Sequence, residues 1–116
     1  ALGNKKDERV LTIPDNGYNN NEHGSIVRHV SGLRQYSVSV KTLDGFEFKE
    51  VDLIKIDVEG MELEVLEGGT HTLLNWRPVV LFENKRSRYN DKLVDFFKEI
   101  NYNIKVYKSD TVAYYE

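Results

Sequence analysis

The hexapeptide Leu53-Ile54-Lys55-Ile56-Asp57-Val58 constrains the fold more than any other segment. It is a short apolar run of β-branched type, suited to a buried strand, and Glu59-Gly60 stops it. From Met61 to Asn75, Leu63, Leu66, Thr70, Leu73 and Leu74 fall roughly on one side of a helix. Gly68-Gly69 weakens that helix by about 1 kcal/mol per glycine relative to alanine, so a break or a close packing contact is expected there. Pro78 to Glu83 reads as a second buried strand, with proline tolerated at its first position. Asn90 or Asp91 can cap a helix in which Leu93, Phe96, Phe97 and Ile100 recur at helical spacing. Ile104 to Tyr107 and Thr111 to Tyr115 follow as strands separated by a Ser109-Asp110 turn. From Asp52 on, the order is strand, helix, strand, helix, strand, strand. It predicts an α/β fold with a mostly parallel sheet, right-handed crossovers and an antiparallel C-terminal hairpin on the sheet edge.

The first 45 residues have a different character, a small N-terminal β and loop region. Residues 9–14 read as a short strand ended by Pro14. Residues 15–24, dense in asparagine and glycine, read as loop. In Gln35 to Val40, Tyr36, Val38 and Val40 alternate with serines, the period of a half-exposed antiparallel strand. With 116 residues the chain has room for one domain, a β/loop region over 1–45 and an α/β part over 46–116. Ala1-Leu2-Gly3-Asn4 opens it without a methionine, which leaves tag removal, maturation and a fragment boundary all open.

Composition removes several function classes. The chain has no cysteine, so disulfides, thiolate catalysis and cysteine-based zinc sites are excluded. A formal charge of −3 without a long basic run gives nothing for nucleic acid to bind. The apolar runs are far too short for a membrane span, and no signal-peptide pattern opens the chain. A cytoplasmic location is the resulting expectation.

Ligands of open α/β sheets bind beyond the carboxyl ends of the strands. Asp57 and Glu59 follow the first buried strand and Glu83 ends the second, so neighbouring strands bring three carboxylates to one rim. Such a rim can bind a hard cation, act as a general base or accept hydrogen bonds from hydroxyls. Acids at a helix start are also favoured by its macrodipole, the role expected of Glu62, Glu64 and Glu67. Gly60 serves the strand-to-helix turn and is a candidate ligand contact. His23, in the polar loop, is a candidate substrate contact, and His71 reads as a helix-surface residue. Lys55, inside an apolar run, is expected in an ion pair. Trp76 reads as a helix end packed on the sheet, and the C-terminal tyrosines as cover for its edge. No glycine-rich phosphate loop occurs anywhere.

Val51 to Leu63, continuing through Val65-Leu66-Glu67-Gly68, closely resembles the hallmark stretch of the FkbM methyltransferase family, an "IKIDVEGxE" string followed by "VLxGA". Gly69 stands where alanine is common. Thr42-Leu43-Asp44 resembles the family's lead-in, and Arg77 to Glu83 its next strand. The resemblance implies an S-adenosylmethionine-dependent O-methyltransferase of Rossmann-like class I fold, acting on a small sugar or natural-product hydroxyl. It places Asp57 and Glu59 near methyl transfer and Glu83 after the next strand. The glycine-rich turn and the ribose-binding acid of that fold are not in this sequence, leaving Ala1 and Leu2 as the residues bordering an adenine pocket. Only part of the fold is then present, with an open sheet edge that predicts a homo-oligomer or completion by another chain. Two other readings stand beside it: a non-catalytic binding or oligomerisation module of the same fold, and, ranked lower because no histidine joins the acids, a metal-dependent hydrolase.

Overall fold

The computed structural model describes residues 1–13, 34–58, 60–83, 88–108 and 110–116. Strands β1 (Asp7–Ile13) and β2 (Arg34–Val40) form an antiparallel pair, in register from Asp7 opposite Val40 to Ile13 opposite Arg34. The second sheet contains β3 (Leu53–Ile56), β4 (Val79–Glu83), β5 (Asn103–Tyr107) and β6 (Asp110–Tyr114), in the order β3-β4-β6-β5. Helices α1 (Glu62–Glu67) and α2 (Thr70–Trp76) connect β3 to β4, and α3 (Arg88–Glu99) lies between β4 and β5. The fold is thus mixed α/β.

Two features differ from the sequence expectation. Within the four-stranded sheet, parallel pairing is confined to β3–β4, because β6 lies antiparallel between β4 and β5; the antiparallel C-terminal hairpin does sit on the sheet edge. The C-terminal hairpin therefore joins the sheet through its last strand. The apolar strands are also buried on one face only. Ile56, Val80, Phe82 and Ala113 form a single core with Leu66, Leu73, Leu93 and Phe97 from the three helices. Leu53, on the alternate face of β3, is 62% exposed. Helices covering one side of a sheet leave every second residue of its strands toward solvent.

Phe97, fully buried, centres the core: its ring stacks on Phe82 at 5.4 Å and meets Tyr102 at 5.5 Å. The helix carrying it begins at Arg88, two residues before the expected cap, with Asp91 in its first turn. Tyr102 belongs to this core and not to the sheet edge, and its hydroxyl donates to the Leu73 carbonyl at 3.3 Å. Trp76 is half-exposed, and its indole N–H donates to the Phe48 carbonyl at 3.1 Å.

The paired glycines break the expected helix in two and also supply its closest packing. A Cβ on Gly68 would collide with the Gly3 carbonyl, so this turn lies directly on the N-terminal backbone. A Cβ on Gly69 would come within 2.6 Å of the Leu43 side chain, a physical reason for glycine where the family motif has alanine. Asp44 holds the start of α2: its carboxylate accepts hydrogen bonds from the His71 and Thr72 N–H groups at 3.0 and 2.8 Å and from the Thr72 hydroxyl at 2.7 Å. These bonds satisfy backbone donors that a helix start leaves without partners.

The acids of α1 are tertiary anchors. Glu64 accepts from Arg9 Nη2 at 2.9 Å, tying β1 to the helix, and this bond raises the Arg9 pKa. Glu67 accepts from Asn4 Nδ2 at 2.9 Å, and it lies in the last turn, where the macrodipole disfavours an acid. Among the described residues, no helix is long and apolar enough to cross a membrane.

Two outcomes follow from this packing. Gly68→Ala should destabilise the fold by about 1–3 kcal/mol, read as a lower urea midpoint, because backbone opposes the added methyl. Burial pushes the Tyr102 pKa up to about 12, against the opposing charge of Arg77. The neutral phenol is therefore favoured in the folded state. Its contribution is complete below the ordinary tyrosine pKa of about 10 and is lost as pH rises toward 12. Ultraviolet titration should show one late tyrosine, absent in Tyr102→Phe.

Candidate active site

The β3–β4 ladder sets the site. Ile56 lies opposite Phe82, so Asp57, just after β3, and Glu83, the last residue of β4, come at the same level of the sheet. Their neighbours Ile56 and Phe82 point into the core, and alternation places the acids on the side away from the helices. The antiparallel β4–β6 pairing then sets Asp110 opposite Glu83. A cavity of about 260 Å³ lies over this rim, lined by Lys55, Asp57, Leu81, Glu83 and Asp110 with the strand ends beneath.

Asp110 is the residue that sequence reading missed. Its place in the Ser109-Asp110 turn carried no signal, because only the insertion of β6 beside β4 brings it to the rim. Lys55 Nζ stands 4.0 Å from Asp57 Oδ2, and both side chains are 68% exposed. This ion pair is a loose, solvated one, worth less than about 1 kcal/mol. It places a cation among the carboxylates that an incoming hydroxylated or anionic group would meet. Among the described residues, no three histidine or acidic side chains group closely enough to hold a metal ion.

Gly60 shapes the turn that follows. Its φ of 90° lies in the region that favours glycine, and nothing stands within 4 Å of where a Cβ would be. Backbone conformation, not space, requires glycine here. The Gly60 N–H donates to Glu62 Oε1 at 3.3 Å, and the Met61 N–H to the Val58 carbonyl at 3.2 Å. Glu62 is therefore a buried clamp on the turn beneath the rim, a role its position in a run of helix-starting acids did not reveal.

Four sequence candidates remain. Glu59 and His23 lie outside the described residues. Ala1 and Leu2 do not line the cavity. The Ala1 ammonium donates to the Ser39 carbonyl at 2.8 Å, and Leu2 bridges to Lys41 while packing against the core.

The family model described as the methyltransferase FkbM domain matches residues 1–107. The chain belongs to the FkbM methyltransferase family. The match spans both the β1–β2 pair and the β3–β4 rim, so both lie within the FkbM domain. No curated protein sequence and no solved structure gives a significant match. In this FkbM chain, the Thr42-Leu43-Asp44 lead-in has a structural basis. Thr42 Oγ1 accepts from the Gly45 N–H at 3.1 Å, Leu43 packs on Gly69, and Asp44 caps α2.

Gly60→Ala should cost about 1–2 kcal/mol, the penalty for a left-handed L-residue, despite the open space around it. A melting temperature equal to that of the parent chain would show that the turn relaxes freely.

Proposed function

We propose that this chain supplies the acceptor side of an S-adenosylmethionine-dependent O-methyltransferase acting on a small hydroxylated molecule, a sugar or natural product. The observation that carries this reading is the meeting of Asp57, Glu83 and Asp110 at the carboxyl end of the β3–β4 ladder, inside the segment matched by the FkbM methyltransferase domain. Asp57 orients or deprotonates the acceptor hydroxyl. Glu59 and Glu83 position the substrate, with His23 and Gly60 as further contacts. A carboxylate is suited to this work because it accepts the hydroxyl hydrogen bond and takes the proton as the oxygen becomes nucleophilic.

The residues of this chain do not by themselves fit S-adenosylmethionine. No glycine-rich turn follows a strand in the sequence. At the N-terminal segment, the Gly3 N–H donates to the Lys41 carbonyl and the Ala1 carbonyl accepts from the Lys41 N–H, both at 2.9 Å. These two backbone groups are therefore already engaged. In the proposed arrangement, Ala1 and Leu2 only border the adenine, and the rest of the cofactor site comes from a second copy or from residues outside this sequence. The edge of β3 away from β4, which has no partner strand among the described residues, is where that addition would join.

The missing cradle equally favours a non-catalytic module that keeps the acidic rim. Calorimetric titration of the purified chain with S-adenosylmethionine separates the two readings. Saturable binding supports a cofactor site rebuilt in an oligomer, whereas a folded chain that does not bind supports the module. Where methyl transfer is assembled, Asp57→Asn should lower kcat by about 10²–10⁴ with a smaller change in KM. Unchanged turnover would remove Asp57 from the chemistry.

A further inference from the structure

At the opposite end of the sheet from the acidic rim, the turn leading into β3 and the last turns of α2 enclose an open cleft of about 520 Å³. β3 has four residues, so roughly 13 Å of strand separates the two places. Phe48 and Trp76 form the aromatic wall and are 46% and 42% exposed. Both are held in place. The Phe48 ring stacks on Phe46 at 5.7 Å and 11°, while its carbonyl accepts the Trp76 indole N–H. His71 and Asn75, one helical turn apart on α2, also line the cleft, with Asn75 Nδ2 3.1 Å from His71 Nδ1. Glu47 and Lys49 complete the charged part of the lining.

From this arrangement we infer that the cleft is a carbohydrate-binding subsite for a neutral saccharide of one or two pyranose rings. A pyranose has a face of polarised C–H groups, which packs on an aromatic ring, and a rim of hydroxyls, which needs fixed donors and acceptors. Phe48 and Trp76 offer the first requirement, and the Asn75 amide, His71 imidazole and Glu47 carboxylate offer the second. The volume falls in the usual range for small-ligand sites. An apolar ligand would desolvate this polar wall without replacing its hydrogen bonds, which is costly. An anionic ligand would meet Asp44 and Glu47, with Lys49 the one lysine or arginine among the described lining residues. The inference rests on the cleft alone and is independent of methyl transfer at the rim.

Trp76 is the only tryptophan, so its emission reports directly on the cleft. The purified chain is titrated with maltose, cellobiose and methyl α-D-mannopyranoside into the millimolar range, with saturation-transfer NMR as a second readout. At least one should give a saturable emission change and ring-proton saturation. Phe48→Ala should weaken that binding about tenfold and Asn75→Ala about threefold, with circular dichroism unchanged. Lys92→Ala, exposed on α3 and outside both cavities, should bind as the parent does. Asn75 is exposed on its helix, so its variant tests the site even where Phe48→Ala fails to fold. Absence of saturable binding by both readouts would overturn the inference. Parent-like affinity in Asn75→Ala would do the same, as would equal occupancy by benzyl alcohol, which would mark a purely apolar pocket.

Discussion

The architecture depends on one asymmetric contact: three helices press a single hydrophobic layer onto one face of the four-stranded sheet. Ile56, Val80, Phe82 and Ala113 meet Leu66, Leu73, Leu93 and Phe97 there. Burying a side chain of this size contributes about 1.5–3 kcal/mol, which makes this layer the principal source of stability. Because alternate strand residues point the other way, the same contact directs Lys55, Asp57, Leu81 and Glu83 away from the helices. The acidic rim and the half-exposed sheet face share this one cause.

The N-terminal segment is joined to that layer by polar and backbone contacts as well as by Leu2, which packs against the core. Gly3 lies against Gly68 without room for a methyl, Arg9 reaches Glu64, and Asn4 reaches Glu67. Exposed or half-exposed ion pairs contribute little singly. Here their effect is to select one placement of β1 along α1, and the glycine contact sets how close the backbones come. The FkbM lead-in around Asp44 acts in the same way, tying the turn before β3 to the start of α2.

Short-range signals read well from the sequence. Alternation marked β2, the apolar runs marked β3 and β4, and the spacing of Leu93, Phe96 and Phe97 marked α3. Gly68-Gly69 was legible as an interruption, because glycine weakens any helix in which it occurs. The acids of α1 were not legible as anchors. A run of glutamates looks alike whether it serves a helix dipole or three separate partners, and those partners lie as far away as Arg9 and Asn4 in the chain. Tyr102 took a core place where the sheet edge was expected for a related reason: aromatic residues suit both a core and an exposed edge, and position in the chain does not separate them.

The sequence by itself determined the strand and helix segments, the strand-to-helix turn at Gly60, the exclusion of cysteine chemistry and the membership in the FkbM methyltransferase family, because each rests on local pattern or motif. Only the tertiary structure decided that β6 enters beside β4, that Asp110 joins Asp57 and Glu83, and that the sheet is covered on one face. Strand order and face coverage depend on which long-range pairings bury the most apolar surface at once. No window of neighbouring residues contains that information.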